Sequence, residues 1–101
     1  MDRALVPARG ARPLLNQLLR ASTSIGANLE EARAAQTKAD FNARFRISLK
    51  EAREAQYWLR VLEECEIVGR ARIHPLVQEA SEIVAIMTTI AKKATPLRPH
   101  S

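Results

Sequence analysis

Cysteine, glycine and aromatic residues are scarce in this chain. A single Cys, Cys65, cannot close an internal disulfide, which excludes a disulfide-stapled scaffold and predicts a reducing, cytoplasmic setting. Three Gly leave no Gly-rich loop to cradle a phosphate. No run approaches ~18 consecutive apolar residues, so neither a membrane-spanning helix nor a membrane partner is predicted. The two His, His74 and His100, have no Glu three residues ahead of them, which excludes a carboxylate–histidine site of the ferritin type. Cys65 has no His on a shared helix face and is read as a core thiol, and Ser22 and Ser24 lack a base within their motif. The residues therefore predict no metal, no cofactor and no catalytic group, and the chain is not read as an enzyme.

What remains is rich in Ala, Leu, Glu, Arg and Lys, the composition of an all-α protein. At 101 residues it forms one domain with a thin core, so self-association is expected. Residues 1–12, with Pro7 and Gly10, read as an irregular arm, residues 13–94 as a helical bundle domain and residues 95–101 as a flexible tail. A first helix is predicted from Pro13 to Ala35, with Leu14, Leu15, Leu18, Leu19, Ile25 and Leu29 on one face. Gly26 costs about 1 kcal/mol there relative to Ala, which suggests a kink or a closely approaching backbone. The spacing brings Ser22 and Gly26 against Ser48 and Ala52 of the second helix. That helix is predicted from Lys38 to Glu66, opened by a capping box at Thr37 and Asp40. Its main stripe is Phe41, Phe45, Ser48, Ala52, Ala55, Leu59 and Leu62, and a side stripe holds Ile47, Trp58, Val61 and Cys65. Two stripes imply two neighbours. Gly69 predicts a helix stop with a left-handed cap at or beside it, and a third helix follows from His74 to Ala94.

The formal charge of +5 gathers toward the ends, with residues 37–66 neutral in sum. Arg9, Arg12, Arg20, Arg70, Arg72, Lys92 and Lys93 are the candidate phosphate contacts, able to position a backbone without reading bases. The competing reading is a set of solvated basic ends. Asn28, Glu31, Lys50, Glu51, Glu54 and Tyr57 form the most suggestive polar set, read as an interface or as a hydrogen-bond network fixing helix register. Tyr57 and Trp58 read either as a stacking platform for bases or as a core-and-interface pair.

Three words in order carry a resemblance: Leu19-Arg20 with Thr23-Ser-Ile-Gly-Ala-Asn-Leu-Glu-Glu-Ala32, then Lys38-Ala-Asp-Phe41, then Ile47-Ser-Leu-Lys-Glu-Ala-Arg-Glu54 with Tyr57-Trp-Leu59. Over residues 19–59 the chain resembles the bacterial four-helix bundle proteins encoded in 23S ribosomal RNA intervening sequences. The resemblance implies an antiparallel four-helix bundle, assembly into rings such as pentamers, and no enzymatic activity. It extends to relatives of a basic accessory protein of diversity-generating retroelements, regarded as nucleic-acid binding. The family places a helix before the Leu19-Arg20 word, where this chain has an arm whose Met1 to Leu5 would be the last turn of that helix. An apolar groove would then lie open and favour another copy, in a ring or in a helix-completing dimer. The functional expectation is a non-enzymatic, self-assembling bundle that contacts RNA or DNA backbone. The alternative is a protein-interaction adaptor, and the two separate on the salt dependence of binding.

Overall fold

The computed structural model describes residues 12–94, and all of its elements are α-helices: α1 (Arg12–Arg33), α2 (Lys38–Glu64) and α3 (Arg70–Ala94). The predicted tail, and the predicted arm except Arg12, lie outside the described residues, as do Met1 to Leu5 and Arg9. α2 is the centre: α1 and α3 each pack along it, whereas the backbones of α1 and α3 approach one another only weakly.

The start of α2 follows from its sequence. Thr37 is the N-cap in extended conformation, and its Oγ1 accepts a hydrogen bond from the Asp40 N–H at 3.1 Å. Asp40 adds a negative charge at the positive end of the helix dipole. The other end of α2 differs from expectation. The left-handed residue is Glu66, at φ 55°, and no glycine has a positive φ among the described residues. The Ile67 N–H bonds the Leu62 carbonyl at 3.2 Å and the Glu66 N–H bonds the Glu63 carbonyl at 3.1 Å. This pair of bonds is a Schellman closure, and Ile67 packs back toward Leu62 as that closure favours. Gly69 instead begins α3, its carbonyl accepting from the N–H groups of Arg72 and Ile73 at 2.9 and 3.1 Å. The third helix therefore starts four residues before His74 and carries Pro75 inside it. Pro75 supplies no N–H, so the Ala71 carbonyl loses its helical donor. Both residues are exposed, leaving that carbonyl within reach of water.

The core forms two clusters along α2. Phe45, Leu49 and Ala52 pack with Met87 and Ala91 near one end, with Ile25, Phe41 and Val84 against them. Leu62, Ile73 and Val77 form the other, flanked by Leu14, Leu15 and Leu18 of α1. Cys65, read as a core thiol, is an exposed free cysteine at the C-cap of α2. It lies one residue past the last residue of α2.

Candidate functional site

α1 presents Leu14, Leu18, Ala21, Ile25, Asn28 and Ala32 inward, a 4-3-4-3-4 row that is buried or half-buried throughout. Ala21 and Ala32 are buried at 0% and 2% exposure, and their small size brings α1 close to α2. The predicted contact of Ser22 and Gly26 with Ser48 and Ala52 is corrected by this row. Gly26 is exposed, and a Cβ built on it would meet nothing within 4 Å. One residue of error rotates a side chain by about 100° around a helix. The close approach lies one residue earlier: Ser48, fully buried, donates its hydroxyl to the Ile25 carbonyl at 2.9 Å.

Between α1 and α3, above α2, an apolar groove lies open. Ala52, Ala55 and Leu59 form its floor, Leu18, Ser22 and Ile25 one wall, and Leu76, Ala80 and Ile83 the other. A second hollow continues it toward Leu15, Leu62 and Ile73. Their volumes are about 370 and 490 Å³. Leu76 and Ile83 are both 48% exposed, Ile86 is 60% and Ile90 is 42%, so α3 shows water a row of branched apolar side chains. Glu79 is the one ionisable residue lining the central hollow.

The predicted polar set does not form one cluster. Glu51 and Glu54 are held by Arg20 of α1, whose Nη1 lies 3.2 Å from Glu51 and whose Nη2 bonds Glu54. Gln17 accepts from Arg20 Nε at 3.2 Å, and Trp58 donates its indole N–H to Glu54 at 3.1 Å. The Trp58 and Arg20 hydrogen bonds hold the Glu54 carboxyl below its usual range, and the Glu54 hydrogen bond raises the Arg20 guanidinium above its own. Lys50 contributes a favourable field at Glu54. Asn28, by contrast, bonds back within its own helix to the Ser24 carbonyl at 2.9 Å, and Glu31 is exposed. Tyr57 is 58% exposed and meets the half-buried Trp58 edge to face, with ring centroids 5.0 Å apart.

The predicted phosphate contacts are likewise scattered. Arg20 is clamped between two carboxylates, which corrects its reading as a phosphate contact. Arg70 and Arg72 stand in the first turn of α3, on the end where Leu14 and Leu15 approach Ile73, so Arg12 shares that end. Lys92 and Lys93 are in the last turn, about 33 Å away along the helix. A basic row absent from that prediction lies on α2. Arg46, Lys50, Arg53, Tyr57 and Arg60 recur at 4-3-4-3 spacing, and all five are exposed. That spacing was legible, but the zero net charge of residues 37–66 concealed it.

Three further polar contacts tie α2 to α3. Gln56 donates to Ser81 at 2.8 Å, Arg53 donates to Thr88 at 3.3 Å, and His74 Nδ1 lies 2.6 Å from Glu63. Among the described residues no group of three His, Cys, Asp or Glu side chains could hold a metal ion, and no helix is long and apolar enough to cross a membrane.

Among the described residues every element is a helix, and the three helices frame an open apolar groove. Residues 5–89 of the chain match the family described as 23S rRNA-intervening sequence protein, and the chain belongs to that family. A solved structure from Bacteroides thetaiotaomicron, described as a protein with unknown function from the S23 ribosomal protein family, is similar at 40% identity and a TM-score of 0.72. The match covers 78% of this chain and 73% of that one. No curated protein matches it.

Proposed function

We propose that this protein is a non-enzymatic helical bundle that self-assembles by placing a helix of a second copy in the groove between α1 and α3. The reading includes an antiparallel arrangement of the helices. Hydrogen bonds that couple residues 25 to 48 and 20 to 51 between α1 and α2, and 56 to 81 and 53 to 88 between α2 and α3, support it, because the indices rise on one helix as they fall on the other. The observation that carries the function is the groove, walled on both sides by apolar side chains with Ala52 and Ala55 at its floor. Small floor residues leave room for a fourth helix axis, and interaxial distances of about 8–10 Å need such room. The half-exposed row on α3 supplies the driving force. Either closed form, a ring such as a pentamer or a helix-completing dimer, would cover it. Light scattering after size exclusion tests the reading: a multiple of the chain mass is expected, and the mass of one chain would overturn it.

Contact with the backbone of RNA or DNA forms the second part of the proposed function, supported by the net charge of +5. Binding of this kind weakens steeply between about 50 and 200 mM salt. An adaptor gripping a partner helix through the groove would keep its affinity over that range, which separates the alternatives.

A further inference from the structure

We propose that the outer face of α2 is the nucleic-acid surface, holding the sugar–phosphate backbone of a single strand on Lys50, Arg53 and Arg60 while Tyr57 stacks on a base. The inference rests on the nucleic-acid part of the proposed function and moves it from the ends of the chain to one helix face.

The face is defined by its geometry. Arg46, Lys50, Arg53, Tyr57 and Arg60 stand on the side of α2 opposite the groove floor of Ala52, Ala55 and Leu59. From Arg46 to Arg60 the row is about 21 Å long at 1.5 Å per residue. That length spans several phosphates at the ~3.4 Å spacing along a stacked strand. Because it lies opposite the groove, the face stays open when the groove is filled.

Charge is sorted around α2. Glu51 and Glu54 lie on the α1 side, held by Arg20, and Glu63 lies on the α3 side, against His74. Lys50, Arg53 and Arg60 take part in none of the salt bridges of the described residues. Arg53 donates one hydrogen bond to Thr88, which leaves other guanidinium N–H groups for a phosphate. Glu64 closes the row at its C-terminal end, so the positive field is bounded there.

Tyr57 selects the strand. It projects among the cations with 58% of its surface exposed, and Trp58 braces it edge to face while its own indole N–H is tied to Glu54. A duplex hides its base faces and would use the cations alone. A single strand offers an unpaired base to the ring. A run of acidic side chains would meet the same cations but has no ring to place on the tyrosine.

Fluorescence anisotropy of the full chain with a labelled single-stranded RNA of about 20 nucleotides, and with a duplex of equal length, tests this between about 50 and 200 mM salt. The variant K50Q/R53Q/R60Q should bind the single strand at least tenfold more weakly, with a salt slope lower by about two for three lost contacts. Tyr57→Ala should weaken the single strand about tenfold and leave the duplex unchanged, and Tyr57→Phe should restore the loss. The variant R70Q/K92Q/K93Q reads the rival location and should lose less than the α2 variant. An equal or greater loss there would overturn the inference while leaving nucleic-acid binding in place. Absence of binding by the parent at low salt would remove both. Displacement of the RNA by polyglutamate at equal charge concentration would make this a surface for acidic polypeptides and also overturn it. All substituted positions are exposed, and circular dichroism checks the helices. If the triple variant loses helix, Arg60→Gln alone should lower the slope by about 0.7.

Discussion

Ile83→Asp is the most direct probe of the groove. Ile83 stands on the α3 wall with 48% of its surface exposed in the single chain. A fully buried Ile contributes about 1.5–3 kcal/mol, so covering its exposed half contributes about 1 kcal/mol at each occupied groove. Asp forfeits that gain and places a short carboxylate, which cannot reach out to water as Lys can, against an incoming apolar helix. Leaving the charge unpaired under a covering helix costs several kcal/mol more. Glu79, one turn earlier on the same wall, adds a like charge worth a few tenths of a kcal/mol. A total of at least ~3 kcal/mol corresponds to association weaker by more than ~100-fold. Light scattering at about 10 µM should show a multiple of the chain mass for the parent and Ile83→Leu, and one chain for Ile83→Asp, since micromolar affinity lies near −8 kcal/mol. The parent's melting temperature should also rise with protein concentration, and the Asp variant's should not. An Asp variant of unchanged mass beside an assembled parent would show that no helix of a second copy lies against Ile83.

Three further outcomes follow from local geometry. Glu66→Gly should stabilise the chain by about 1 kcal/mol, because a side chain at φ 55° is strained and glycine there is not; the melting temperature should rise by several degrees, and no rise would contradict the cap assignment. Gly26→Ala should stabilise by about 0.5–1 kcal/mol, since its Cβ meets open space, and a lower melting temperature would place another backbone against α1. Glu54→Gln should lower the melting temperature at neutral pH. The parent's advantage should vanish on acidification, because a carboxyl held below its ordinary value of 4.5 stabilises the fold above that pH and loses its effect as pH falls through the lower folded value. A gap between the two melting curves that ignores pH would refute the role given to the Arg20–Glu54–Trp58 contact.

Features set by neighbouring residues were the legible ones. Thr37 with Asp40 announced the start of α2, and the row from Phe41 to Leu62 marked its buried side, because cap and period act within one helix. Local signals failed where two of them competed. Glycine is the usual left-handed residue, so Gly69 drew the expected cap, yet the Schellman bonds close at Glu66 and Gly69 serves the next helix. On α1, leucines at 14, 15, 18 and 19 fit two faces. Only the fit of Ala21 and Ala32 against α2 decides which one turns inward. The Arg20 clamp joins residues 31 and 34 positions apart, a distance no helical period reports.

The weak contact between α1 and α3 sets how the fold comes apart. Each outer helix is secured mainly to α2, and α1 and α3 meet chiefly through the Leu14, Leu15 and Ile73 cluster at one end, so α2 should retain its amide protons longest in hydrogen exchange. A helix seated in the groove would touch both walls at once and bind their opening into a single event. Under the proposed assembly, the occupant of the groove would therefore add to the cooperativity that the shared cluster gives the chain.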